Sequence, residues 1–250
     1  MIETYIFLHD QKIALDILKS DRFSGFDHCK LVFLGNRPID NIQNHPNIII
    51  ARNLEHNIEH IPKLTSFTGW YALYKNQIIN SEYVNLFEYD LNLVGNFADK
   101  NKQLIADNPP AIAYFNFPAN HPAFIKEKIY TGDFIKLIND RDSVDIVKLV
   151  EKYIAKNPNI LWQTTSNSTW NVKTLEQYIL WAEKYLDYFE NFEYAGHAIE
   201  RSISLFYYIN KVNVHFTNGL MQHLQLNSHK TDPFLPKNDN RFNKGYKNLI

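Results

Sequence analysis

Tyr83-Val84-Asn85-Leu86-Phe87-Glu88-Tyr89-Asp90 is an apolar run that ends in two carboxylates. Side chains on a strand alternate between faces, so a strand here puts Glu88 and Asp90 on one side and Tyr89 on the other. A buried parallel strand reads as a continuous hydrophobic run, and this run stops where the acids begin. In open α/β sheets, ligands sit outside the carboxyl ends of the strands. Two acids placed there suit a hard divalent cation, which takes oxygen ligands and commonly bridges to a substrate phosphate. The pattern points to an enzyme acting on a nucleotide-linked substrate. The competing reading is a solvated acidic turn.

Working outward, Tyr5-Ile6-Phe7-Leu8 reads as a short buried strand, followed by His9-Asp10-Gln11 and an apolar-periodic segment through Leu18. Leu31-Val32-Phe33-Leu34 is a second strand closed by the turn Gly35-Asn36-Arg37-Pro38. Ile48-Ile49-Ile50-Ala51 and Ala111-Ile112-Ala113-Tyr114-Phe115 are further strands, and residues 64–74 carry a helical pattern. Strands alternating with helices predict an α/β fold with a mainly parallel central sheet flanked by helices. The second half is more helical. Periodicity predicts helices over 142–155, 172–189 and 195–210, then a strand over 212–216.

The 250 residues, 45% of them hydrophobic and 14% aromatic, are ample for a packed core. The expected organisation is a single domain over 1–229. It divides at about residue 118, and residues 230–250 form a polar basic tail. A net charge of −1 gives no electrostatic case for a nucleic-acid partner. The single cysteine, Cys29, rules out an intramolecular disulfide framework and fits a reducing compartment. The opening Met1-Ile2-Glu3-Thr4 lacks a signal-peptide pattern, and no stretch approaches the roughly 20 apolar residues of a membrane span. The expectation is a cytoplasmic protein. The basic residues Lys230, Lys237, Arg241, Lys244 and Lys247 read as a loosely held tail or as a foot making peripheral contact with an anionic membrane.

Three further clusters carry chemistry. The 195–210 helix is apolar almost all round except for His197, Glu200, Arg201 and Ser204, which fall on one face. Buried charges need partners, so this stripe either forms an internal network or lines a cleft. In a cleft, Glu200 or His197 would act as general base and Arg201 as an anchor for phosphate or an acid. His223 and His229 are candidate nitrogen ligands for a cation held by Asp90. Trp162 and Trp170 bracket a polar segment containing Asn167, an arrangement suited to stacking and hydrogen-bonding a sugar, or equally to core tryptophans flanking a loop. No glycine-rich phosphate loop and no paired-cysteine zinc pattern occur, and eight glycines leave little room for a phosphate cradle. A metal ion is then the natural means of neutralising a diphosphate.

Thr68-Gly69-Trp70-Tyr71-Ala72-Leu73-Tyr74-Lys75-Asn76, followed by the Tyr83–Asp90 run, resembles a segment of GT-A glycosyltransferases, among them bacterial capsule and lipopolysaccharide transferases and large-DNA-virus relatives. His197-Ala198-Ile199-Glu200-Arg201 is similar to the late Glu-Arg helix of that family. The resemblance spans about residues 1–230 in element order, with only these two segments specific. Two departures stand out: Glu88 replaces an aspartate, and the acid expected before Thr68-Gly69 is absent at Ser66-Phe67. The resemblance implies transfer of a sugar from a nucleotide-sugar donor to a glycan or glycolipid acceptor, with Mn²⁺ or Mg²⁺ as cofactor. It implies that residues 1–118 or so bind the nucleotide-sugar and 119–229 shape the acceptor pocket, with Asp90 and Glu88 holding the metal and His9, Asp10, Arg37, Trp70 and Lys75 binding substrate. His229 as a metal ligand, and Trp162, Asn167, Trp170 and Arg201 as substrate-binding residues, are the candidates read from the residues themselves. If transfer inverts the sugar, Glu200 is the expected base, with His197 as the other catalytic candidate. A nucleotide-sugar hydrolase or pyrophosphorylase, and a non-catalytic carbohydrate-binding protein, remain as rival readings.

Overall fold

The computed structural model describes residues 2–20, 22–118, 134–145, 148, 161–163, 165–193 and 195–224. Its centre is a seven-stranded sheet. Four strands come from the first ninety residues: β1 (Ile2–Leu8), β2 (His28–Phe33), β3 (Ile48–Ile50) and β4 (Tyr83–Glu88). They lie side by side and parallel, in the order β4-β1-β2-β3. α1 (Gln11–Lys19) connects β1 to β2, and α2 (Ser66–Lys75) leads back to β4.

The remaining elements are β5 (Leu91–Leu93), α3 (Phe97–Ala106), β6 (Ala111–Ala113), β7 (Asn116–Pro118), the helix α4 over 134–142, β8 (Leu161–Gln163), β9 (Ser168–Asn171), α5 (Val172–Glu183), α6 (Leu186–Asn191), α7 (Ala195–Ile209), β10 (His215–Phe216) and β11 (Met221–His223). β9 enters the sheet between β4 and β6 and runs antiparallel to both, while β10 extends the far edge parallel to β6. β5 pairs with β11, and β7 with β8, as small separate ribbons. The sheet is thus mainly parallel with one reversed strand, and both halves of the chain contribute to it.

Alternation along β1 explains the two-sided core. Tyr5 and Phe7 join one buried cluster with Trp70, Leu73, Trp170, Tyr178 and Tyr207, while Ile6 and Leu8 join a second with Ala14, Ile17, Phe33, Phe87 and Phe97. The sheet is covered on both faces, as a parallel sheet must be. Gly69 sits where α2 crosses β1, and a Cβ there would lie 2.5 Å from the Phe7 ring. Gly196 plays the same part for α7, since a Cβ there would lie 2.6 Å from the Lys63 carbonyl oxygen.

The structure departs from the sequence reading in four places. The segment expected as a loop between the two indoles leads into β9, so Trp170 is a sheet residue with no solvent exposure. The 172–189 pattern is two helices, broken at Lys184-Tyr185, where the Tyr185 hydroxyl donates to Asp142 Oδ2 at 2.7 Å. α3 escaped notice because its buried face carries Asn101, which hydrogen-bonds Asn85 and Tyr114 inside the core. The expected strand at 212–216 is only two residues long. Of the helix expected over 142–155 only residues 142–145 and 148 are described; the rest of it, the basic tail and its membrane contact lie outside the described residues. Among the described residues no helix is long and apolar enough to cross a membrane.

Trp170 tests this packing. Its ring stacks on Tyr178 with centroids 5.4 Å apart and meets Trp70 edge to face at 6.1 Å. Trp170→Ala is expected to cost about 3–5 kcal/mol by cavity formation, read as a lowered denaturation midpoint in a urea titration. A midpoint equal to wild type would show that the indole lies outside the core.

Candidate functional site

The chain gathers four titratable groups at the carboxyl end of β4, each delivered by a different element. β4 ends at Glu88, and Tyr89 and Asp90 form the turn into β5. Phe87, Tyr89 and Leu91 all enter the same core cluster, so the alternation read from sequence carries through the turn and leaves Glu88 and Asp90 out of it. β11 then pairs antiparallel with β5, and the Leu224 amide donates to the Asp90 carbonyl at 2.7 Å. That pairing sets His223 Nδ1 3.8 Å from Asp90 Oδ2, with its ring packed on Phe115 at 4.4 Å. From the other side, the seating of α7 on the turn at Lys63 brings Glu200 in.

The electrostatics follow from this crowding. Burial first, then the charges of Glu200 and Asp90, push the Glu88 carboxyl up from its ordinary value near 4.5 to about 8, against the Ser66 hydrogen bond and the His223 charge, which pull it down. Burial pulls the His223 imidazole down, but Asp90, Glu88 and Glu200 outweigh it and leave the pKa raised. Glu200 is itself hydrogen-bonded by Arg201, whose guanidinium is only 10% exposed. Arg22, on the loop after α1, is the counter-charge that the sequence reading missed. Its pKa is lowered by burial and held up by Asp90. A lone arginine in a loop between a helix and a strand carries no periodicity or spacing that singles it out.

Glu88 is also tightly held. Ser66, the first residue of α2, donates to Oε1 at 2.9 Å. Asn167 accepts from the Glu88 backbone N–H at 2.7 Å and donates to Oε2 at 3.4 Å. Geometry dictates both contacts. α2 runs back along the sheet, so its first residue lies beside the end of β4, and antiparallel β9 starts where β4 finishes, Leu86 facing Ser168.

His9, Asp10 and Arg37 form a second group along the same edge, after β1 and β2. Asp10 caps α1 by accepting from the Lys12 N–H at 2.8 Å and meets Arg37 Nη1 at 3.3 Å. His9 packs edge-on against Tyr89 at 5.3 Å, which links this group to the β4 turn. Arg52 donates to the carbonyls of Gly35 and Arg37 and fixes the loop between them.

The other sequence candidates are placed elsewhere. Trp70 and Trp170 are core residues, 1% and 0% exposed, and Trp162, 4% exposed, packs against Tyr208 at 5.9 Å. None offers a ring face to a sugar. Lys75 closes α2 at the end opposite Ser66, about 14 Å away by helix rise, and pairs with Glu183 at 2.8 Å. Asn167 spends its amide on Glu88 and Thr165 rather than on an open pocket. His197 lies half-exposed on the first turn of α7, and His229 falls outside the described residues.

The donor set suits a hard cation. Mg²⁺ sites commonly use one or two carboxylates and complete their shell with water and substrate phosphate. Glu88 and Asp90 supply the carboxylates, and burial together with the charges of Glu200 and Asp90 disfavours the ionised Glu88, a penalty that a counter-ion would offset. Among the described residues no three His, Cys, Asp or Glu side chains make a ready-made metal cage, so phosphate oxygens would have to complete the shell.

Both shifted groups favour the protonated form in the folded protein. Their contribution to stability is complete below the unfolded values, about 4.3 for Glu and about 6.5 for His, and is lost as pH rises through the folded ones. Without added metal, the melting temperature is therefore expected to gain a falling component between about pH 4.5 and 8, which Glu88→Gln removes in large part. An identical pH profile for wild type and Glu88→Gln would show that Glu88 does not carry this strain.

No family model matches the chain, and no curated protein matches it either. A solved structure does. WbbM, described as a bifunctional glycosyltransferase and solved in its apo form, superposes with a TM-score of 0.60 at 12% identity, over 90% of this chain and 45% of that one. The chain therefore spans a little under half of that larger protein. At this identity the likeness speaks for architecture alone, and the architecture is that of a glycosyltransferase.

Proposed function

We propose that this chain is a glycosyltransferase that moves a sugar from a nucleotide-sugar donor to a glycan or glycolipid acceptor, using Mn²⁺ or Mg²⁺. The observation that carries the reading is the crowding of Glu88, Asp90 and Glu200 at the carboxyl edge of the central strands, in a fold shared with a glycosyltransferase. That edge is where α/β sheets place their ligands. The Asp10–Arg37 pair and His9 would grip the nucleoside end of the donor. Asp90, with Glu88, would hold the cation. When bound, the cation supplies charge neutralisation to the diphosphate as the glycosidic bond breaks. Arg22 adds fixed positive charge close to Asp90, suited to a phosphate oxygen.

Glu200 is the candidate base. A carboxylate removes a proton from an acceptor hydroxyl only while ionised, and Arg201 donates a hydrogen bond to Glu200. His223 belongs to the same cluster through Asp90 and would orient that carboxylate or join the cation.

The experiment is a thermal-shift and calorimetric screen of nucleotide-sugars and nucleoside diphosphates, with and without Mn²⁺. A specific binder at about 100 times its Kd stabilises the fold by about 2.7 kcal/mol. Asp90→Ala is expected to abolish the Mn²⁺-dependent part, and Glu200→Gln to keep donor binding while lowering kcat by about 10²–10⁴. Wild-type protein that binds none of these ligands would overturn the reading, and unchanged Mn²⁺-dependent affinity in Asp90→Ala would remove the metal assignment.

A further inference from the structure

We propose that Ser66 and Asn167 are positioning residues for the proposed transfer reaction, a clamp that fixes the Glu88 carboxylate beside Asp90 so that a cation and a diphosphate meet both acids in one arrangement. The inference rests on the function proposed above and adds the residues that make its cation site.

Glutamate has freely rotating side-chain bonds, and once ionised, as a cation requires, Glu88 stands among the like charges of Glu200 and Asp90, which favour other rotamers. The clamp prevents this from both sides. The Ser66 hydroxyl reaches Oε1 at 2.9 Å, and the Asn167 amide reaches Oε2 at 3.4 Å while its oxygen accepts the Glu88 N–H at 2.7 Å. The pair of contacts fixes the amide orientation, because a flipped Asn167 would set oxygen against carboxylate and NH₂ against N–H. Ser66 is 4% exposed and Asn167 fully buried, so water does not readily substitute for either.

Ser66 does not support its own local element in the usual way, and Asn167 adds only a 3.3 Å amide bond to Thr165 beside its bonds to Glu88. Ser66 opens α2, yet its hydroxyl leaves the helix to reach a residue 22 positions away, and Thr65, at the N-cap, makes no side-chain cap bond. Asn167 reaches 79 positions back. An ionised carboxylate offers about four lone-pair directions. The clamp occupies one on each oxygen, which leaves one on each for a cation. Ser66 and Asn167 touch Glu88 rather than substrate and act through it.

The test compares Ser66→Ala, Ser66→Thr and Asn167→Ala with wild type in the full chain. It uses calorimetric titration with uridine, guanosine and cytidine diphosphates, with and without Mn²⁺, and melting temperatures taken alongside. The clamp predicts that Ser66→Ala weakens Mn²⁺-dependent binding at least tenfold with little change in metal-free melting temperature. Ser66→Thr, which keeps the hydroxyl, stays within about threefold of wild type. If Asn167→Ala does not fold, the Ser66 pair decides alone. Ser66→Ala binding as tightly as Ser66→Thr and wild type overturns the clamp, most plainly if Asp90→Ala has lost binding in the same assay. Wild type that binds none of the diphosphates overturns the proposed function, and the clamp falls with it.

Discussion

Like charges held together out of water repel, and the arrangement of this chain turns on how it holds Glu88 beside Asp90 and Glu200. Burial and repulsion both act against the ionised form, which is why its carboxyl titrates near 8. Two elements from distant parts of the sequence converge to hold it in place, and a third brings the opposing charge. The start of α2 gives Ser66, the start of β9 gives Asn167, and α7 gives Glu200 with its own partner Arg201. The two helices arrive because each packs on its neighbour without a side chain in the way. Gly69 lets α2 lie on Phe7, and Gly196 lets α7 lie on the Lys63 carbonyl. The core on that face is dense with aromatic rings, Trp70, Trp170 and Tyr178 among them, and it keeps these approaches rigid.

Much of the parallel half was legible in the sequence, because buried parallel strands announce themselves as apolar runs. Tyr5–Leu8, Leu31–Leu34, Ile48–Ile50 and Tyr83–Phe87 all fall within or against the observed strands. The acids after Phe87 were legible for the same reason, since a hydrophobic run that stops abruptly marks where a strand leaves the core. The polar stripe on α7 was readable because helical period places residues 197, 200, 201 and 204 together. Glu200 and Arg201 join the acidic cluster, while the Ser204 hydroxyl accepts the Gln163 N–H at 3.0 Å and serves packing.

What sequence pattern does not convey is strand direction and partnership. The polar residues Asn167, Ser168 and Thr169 look like a loop between two indoles, but they sit fully buried at the middle of the sheet. Thr169 is accommodated there by Asn85, Asn101 and Tyr114, a hydrogen-bonded set drawn from β4, α3 and the residue after β6. A buried polar network of this kind is invisible to hydropathy, because every member argues against burial until its partners are known. Local spacing likewise gave no warning that Lys75 and Ser66, on one helix, belong to opposite ends of the sheet.

The central place of β9 has a consequence for how the chain assembles. β4 is flanked by β1 on one side and by β9 on the other, and β9 ends at Asn171, long after β4 has been made. At about 5–20 residues per second, a ribosome takes several seconds to deliver that partner once Glu88 has emerged. Through that interval one edge of β4, a run of buried apolar side chains, has no strand beside it, and unpaired edges of this type recruit other chains. The same wait makes the closure of the sheet a long-range event, set by loop entropy rather than by local helix formation.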